Sequence, residues 1–167
     1  MLRILTPHLC VESVLELGLD RLRGLGIEAL LLDVDCTLTR YRAAEVSAEI
    51  AHWIEELRAA GIVVCLVSNG RGGRISRLAE QLGVPFVAKA FKPLPRGCKA
   101  ALRKLGTSRE RTAMVGDQVF ADVAAARLAG LFSVLVRPIH PEEEPWYTRL
   151  KRPLENVLRA RFRRGGA

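Results

Sequence analysis

Two acids, Asp33 and Asp35, stand at the end of the apolar run Leu30-Leu31-Leu32, and Thr37 follows them. At i, i+2 their side chains leave an extended chain on the same side. Carboxylates set side by side repel unless a cation lies near them. Three more polar groups recur along the chain. Ser68-Asn69-Gly70 follows Ile62-Val63-Val64-Cys65-Leu66-Val67, Lys92-Pro93 follows Pro85 to Ala88, and Gly116-Asp117-Gln118 follows Thr112 to Val115, with Asp122 a little farther on. The set fits phosphoryl transfer to a carboxylate. An Asp can attack phosphorus and split hydrolysis into two steps. A Mg²⁺ held by one or two carboxylates neutralises charge on the moving phosphoryl group. A Lys adds fixed positive charge. A Ser hydroxyl and backbone N–H groups ahead of a helix hold phosphate oxygens. A second acid moves the proton of the leaving alcohol and of water.

These groups need a scaffold that brings strand ends together. The patterning predicts strands at 28–33, 62–67, 85–88, 112–115 and 132–136. Buried parallel strands read as continuous Leu and Val runs of this kind. Helices are predicted over 10–26, 47–60, 72–82, 95–105 and 119–129. Ser47 is a cap for the second, whose apolar face is Ile50, Trp53, Ile54 and Leu57. Strands alternating with single helices predict an α/β fold, a doubly wound three-layer sandwich around a mostly parallel five-stranded sheet. Such sheets bind ligands at the carboxyl ends of their strands. All four polar groups fall there.

The chain has 167 residues, 49% of them hydrophobic, enough for one domain with a real core. Residues 1–167 are read as that single domain, with 138–167 as a basic C-terminal tail. The formal net charge of +8 favours anionic partners. The four Cys form no CxxC pair and no zinc spacing, which suits a reducing, cytoplasmic compartment. Pro7 and His8 interrupt any signal-peptide apolar core, and no apolar run approaches a membrane span. Membrane contact, if made, is peripheral, on the inner face of the membrane.

Asp33-Val34-Asp35-Cys36-Thr37-Leu38, Ser68-Asn69, Lys92-Pro93 and Gly116-Asp117-Gln118-Val119-Phe120-Ala121-Asp122 resemble, in order, the four motifs of the haloacid dehalogenase (HAD) superfamily of phosphatases. The resemblance implies a role for each residue. Asp33 would be the nucleophile and a Mg²⁺ ligand. Asp35 would be the general acid and base, its backbone carbonyl also reaching the metal. Ser68 would bind the substrate phosphate, helped by Asn69. Lys92 would steady Asp33 and the phosphate. Asp117 would complete the metal site, with Asp122 beside it or behind the ligands, and Thr37 bonding within the loop.

One helix and one strand fill most of the stretch from Asp35 to Ser68, and again from Lys92 to Asp117. That leaves no room for the cap domain of many superfamily members. Nearly the whole chain resembles a capless branch, subfamily IIIA of the YqeG type, which includes phosphatidylglycerophosphate phosphatases. Early Pro7, Ala90-Phe91-Lys92-Pro93 and the tail Arg152-Pro153-Leu154-Glu155 carry that resemblance. Cys36, Arg40-Tyr41 and Ala121 depart from the branch pattern, and none removes a catalytic group. The implied activity is Mg²⁺-dependent dephosphorylation of phosphatidylglycerophosphate. A phosphoprotein, nucleotide or sugar phosphate is the alternative substrate. A phospho-accepting receiver or a basic nucleic-acid-binding module is the alternative class. Ser68-Asn69 stands where a receiver would carry its phosphorylated Asp, and aromatics at 5% offer little stacking surface for nucleic acid.

The tail also patterns as an amphipathic helix. Leu154, Val157, Leu158 and Phe162 share one face, and Arg152, Arg159, Arg163 and Arg164 lie largely on the others. That arrangement suits an anionic bilayer surface or packing against the domain.

Overall fold

A computed structural model describes residues 2–164. Six strands form one all-parallel sheet: β1 (Leu9–Val11), β2 (Ala29–Leu32), β3 (Val63–Val67), β4 (Phe86–Val87), β5 (Thr112–Gly116) and β6 (Phe132–Val136), in the order β1-β6-β5-β2-β3-β4. The sequence predicted five of them. The sixth is β1, within and just ahead of the segment read as a helix over 10–26. Its three residues are too short to show a period. The Ser13 hydroxyl and Glu16 carboxylate then close a reciprocal cap around a 3₁₀ turn, and the helix proper is only α1, Leu19–Gly24.

The remaining helices are α2 (Ala48–Ala59), α3 (Gly72–Leu82), α4 (Arg96–Leu105), α5 (Ala124–Ala129), α6 (Trp146–Arg149) and α7 (Arg152–Arg164). Ser47 caps α2 by accepting from the Ile50 N–H, and the helix buries Ile50, Trp53, Ile54 and Leu57, as its spacing predicts. A π turn, Val119–Val123, precedes α5 where one continuous helix was expected.

Successive residues of β2 point to opposite faces. Leu30 and Leu32 join the core cluster under α2 and α3, whereas Leu31 joins the cluster with Cys98 and Ala101 of α4 and Ala125 of α5. All four residues of β2 are fully buried, which explains a strand with no polar alternation.

The strand order reverses between β2 and β5. From β2 the chain winds outward through β3 to β4, then crosses back to place β5 on the other side of β2. Loops leaving two adjacent strands in opposite senses open a crevice at their carboxyl ends. The connections after β2 and after β4 hold no inserted domain, so the crevice has no cap. Among the described residues, no helix is long and apolar enough to cross a membrane.

Candidate active site

Asp33 follows β2, and its N–H still donates to Val115 of β5, 2.9 Å away. Asp117 follows β5. Asp122 lies in the π turn, and one of its carboxylate oxygens accepts from the Gln118 N–H at 3.0 Å. Potential ligand oxygens of these three acids all lie within 4.8 Å of one another. All three residues are buried. Gly116 makes this possible, since an added Cβ there would overlap the Asp122 carboxylate.

Lys92 reaches the cluster from the loop between β4 and α4. Its Nζ donates to Asp33 Oδ1 at 2.5 Å and to the Val67 carbonyl at 2.9 Å. It also stands 2.7 Å from Asp122 Oδ1, close enough to attract it but off the line of a hydrogen bond. That oxygen is buried and accepts no hydrogen bond among the described residues. The Asn69 side chain and the Lys92 main chain clamp each other. Asn69 Nδ2 donates to the Lys92 carbonyl at 3.0 Å, and the Lys92 N–H donates to Asn69 Oδ1 at 2.8 Å. The Asn69 amide thus aims Lys92. Ser68, at the end of β3, is buried and accepts the Gly70 N–H at 3.0 Å. Thr37 Oγ1 donates to Asp117 Oδ1 at 3.1 Å and lies 3.4 Å from Asp33 Oδ2, so its hydroxyl spaces the two acids.

The side chain of Asp35 sits apart from this cluster. It accepts the Arg42 N–H at 2.7 Å and pairs with Arg74 of α3, whose other nitrogen donates to Ala43. The carboxylates that meet are therefore Asp33, Asp117 and Asp122, with Asp122 in the cluster rather than behind it.

Burial pushes the Asp33 carboxyl up to about 8, and the nearby Asp122 and Asp117 charges add to the rise, against the pull of Lys92. Burial likewise pushes Asp117 up to about 7, with Arg152 opposing. Lys92 is raised above an ordinary lysine, because Asp122 and Asp33 outweigh its own burial. A divalent cation with oxygen ligands fits this donor set: three buried carboxylates, one oxygen without a hydrogen bond, and too little positive charge nearby. Cys36 is no nucleophile. Burial and the carboxylates around it raise its thiol far above the usual range.

Asp33, Asp35, Ser68, Asn69, Lys92 and Asp122 all line one cavity of about 700 Å³. The Arg42 guanidinium there lies 5.3 Å over the Tyr41 ring. Arg71 and Lys151 add exposed cations to the same wall.

One group was not foreseen in the sequence. Arg152, at the start of α7, is buried and pairs with Asp117. It also grips Glu144 through two bonds of 2.7 Å and donates to Glu155 at 3.2 Å. Arg159 adds a 3.0 Å bond to the Asp117 carbonyl. The amphipathic pattern of the tail left open which face meets the domain. The structure turns Arg152 and Arg159 in and leaves Leu154 and Val157 exposed. The side chains of Arg163 and Arg164 lie outside the described residues. An Arg three positions before a Glu, downstream of Glu142-Glu143-Glu144, was the available signal.

A family model described as haloacid dehalogenase-like hydrolase matches residues 9–130. The chain belongs to that family. This HAD hydrolase is an enzyme of the phosphatase type. It is 28% identical over 160 residues to the probable phosphatase YqeG of Bacillus subtilis, a match spanning 96% of the chain and 92% of the relative. It is 27% identical to the chloroplastic phosphatidylglycerophosphate phosphatase 1 of Chlamydomonas reinhardtii, over 93% of the chain but 61% of that longer protein. Among solved structures, the cobalt-bound deoxy-D-mannose-octulosonate 8-phosphate phosphatase of Haemophilus influenzae superposes with a TM-score of 0.56 at 19% identity. That match covers 80% of the chain and 88% of the other, and it bears on fold alone.

Proposed function

We propose that this HAD phosphatase removes the terminal phosphate of phosphatidylglycerophosphate through an aspartyl-phosphate on Asp33. The observation that carries the chemistry is the buried trio Asp33, Asp117 and Asp122 with Lys92 Nζ set between Asp33 and Asp122. An Asp33 oxygen attacks phosphorus as the bond to the leaving alkoxide breaks. Asp35, on the cavity wall, gives the alkoxide its proton. Water then attacks the phosphoryl group and gives its proton to Asp35, which frees phosphate and restores Asp33. Lys92 favours the ionised form of Asp33 against the effect of burial and offsets charge on the phosphoryl oxygens. Ser68 and the backbone N–H groups opening α3 receive those oxygens. Asp33, Asp117 and Asp122 would hold Mg²⁺, joined by the Asp35 carbonyl that the family resemblance implies. Bound there, the ion supplies positive charge against the three acids and the phosphate.

The lipid substrate is supported by the phosphatidylglycerophosphate phosphatases among the relatives and by a capless cavity open to a headgroup. Phosphate release should be compared for phosphatidylglycerophosphate and for a soluble panel of glycerol 3-phosphate, a nucleoside monophosphate, a sugar phosphate and a phosphoserine peptide. Each is assayed with Mg²⁺ and with EDTA. The lipid is expected to exceed every soluble ester in kcat/KM by about 100-fold or more, and EDTA to stop all turnover. A soluble ester that matches the lipid would overturn the substrate assignment.

A further inference from the structure

The exposed apolar side chains of this molecule are not scattered. Eleven large hydrophobic residues are exposed among those described, and the seven most exposed belong to two segments that border the active-site cavity. Five are in α6 and α7 or the turn between them: Trp146 at 72%, Leu150 at 70%, Val157 at 66%, and Tyr147 and Leu154 at 56% each. The other two, Phe91 and Leu94, flank the cavity-lining pair Lys92-Pro93. The remaining four, on other parts of the surface, are all below 50% exposed.

The path from Trp146 to Glu155 runs through α6, a turn at Leu150 and Lys151, and the start of α7, with the Leu150 N–H donating to Trp146, the Lys151 N–H to Thr148 and the Glu155 N–H to Lys151. Leu154 and Val157 lie three residues apart in α7, Tyr147 and Leu150 three apart just ahead of it, and Trp146 stands against Tyr147, so the exposed apolar side chains follow one another along this segment as a stripe. Tyr147, Thr148 and Lys151 of the same segment line the cavity. The stripe thus runs from the mouth of the site.

Charge decides what covers it. Between Pro145 and Phe162 the only acid is Glu155, which is buried against Arg152. The outward charges there are Arg149, Lys151 and Arg161. An outward surface of Trp, Tyr, Leu and Val whose own outward charges are all Lys or Arg, with Glu143 just ahead of it paired to Arg40, matches the headgroup and upper acyl region of an anionic bilayer. The buried fork of Arg152 holds the segment onto the domain, through Glu144 and Asp117.

We propose that this stripe, with Phe91 and Leu94, is a bilayer-docking edge that seats the cavity mouth on anionic lipid. It rests on the lipid reading of the active site, and its test separates the two. The intact protein is titrated with vesicles of phosphatidylcholine, with and without phosphatidylglycerol, while its fluorescence is followed. Trp53, the one other tryptophan, is buried, so a shift in emission reports Trp146. A blue shift and co-sedimentation are expected with the anionic vesicles, weakened by salt. The variant Trp146→Ser/Leu150→Ser/Val157→Ser is expected to bind at least tenfold more weakly and to hydrolyse p-nitrophenyl phosphate like the parent. Equal binding by parent and variant, or none by the parent, overturns the docking edge. Self-association lost in the variant, without vesicle binding, assigns the stripe to a second copy and also overturns it. Docking as expected, without hydrolysis of phosphatidylglycerophosphate in the same vesicles, overturns the substrate assignment and leaves the docking edge standing.

Discussion

Asp33, Asp117 and Asp122 are held close by groups that do no chemistry themselves. The Thr37 hydroxyl spaces two of them, and the bare Cα of Gly116 admits the third. Gly116→Ala is expected to push Asp122 aside and lower kcat by about 100-fold, since small displacements at a reacting centre are costly. A circular-dichroism spectrum like that of the parent would show that the fold survives. The acid cluster also sets a pH dependence. In the metal-free protein Asp33 and Asp117 titrate above the ordinary carboxylate value, at about 8 and about 7. A group raised on folding adds stability in full below its unfolded pKa, and that stability is lost as pH rises through the folded pKa. Tm in EDTA is therefore expected to fall between about pH 4 and about pH 8. Mg²⁺ needs both carboxylates ionised, so the stabilisation it adds is expected to grow over the same range. Thermal melts at several pH values with Mg²⁺ and with EDTA check both trends. A gap that narrows with pH would contradict them.

The elements that carry the site were legible to different degrees. The strands behind Asp33, Ser68 and Asp117 showed as apolar runs because they are buried on both faces. The edge strand β1 did not, and neither did the short cap at Ser13 that splits its supposed helix. Helix α7 was visible as a helix, but which of its faces packs on the domain was not. Periodicity separates two faces without telling which one packs. Here an ionic contact outweighed apolar burial, because Arg152 answers Glu144, Glu155 and Asp117 together. Those partners are spread between residues 117 and 155, a distance no local pattern spans. Arg152→Ala would leave buried carboxylates without their counter-ion, and a loss of about 3–5 kcal/mol is expected. Urea unfolding measures it. Arg152→Lys keeps the charge without the planar fork and is expected to fall between. A loss below about 1 kcal/mol for Arg152→Ala would mean that the fork is as weak as a surface pair.

Across the molecule, fold and chemistry converge on one edge of the sheet. The reversal between β2 and β5 puts Asp33 and Asp117 side by side, and short connections leave their crevice uncapped. The order of the four polar groups made this edge readable in the sequence. The side-chain pairings within it were not, since Asn69 clamping Lys92 and Arg74 holding Asp35 depend on loops brought together by folding. The net charge of +8 pointed to anionic partners in general, and only the structure shows bare cations and exposed aromatic groups sharing the mouth. The proposed function ties these features together through covalent chemistry at one group, the Asp33 carboxylate. The most direct test is to mix enzyme, Mg²⁺ and phosphatidylglycerophosphate, quench in acid within one turnover, and map phosphoryl groups on the digested peptides by mass spectrometry. One phosphoryl group is expected on Asp33, absent from Asp33→Asn. Rapid turnover by Asp33→Asn, or a phosphoryl group carried by Asp35 or Asp117 instead, would contradict the account.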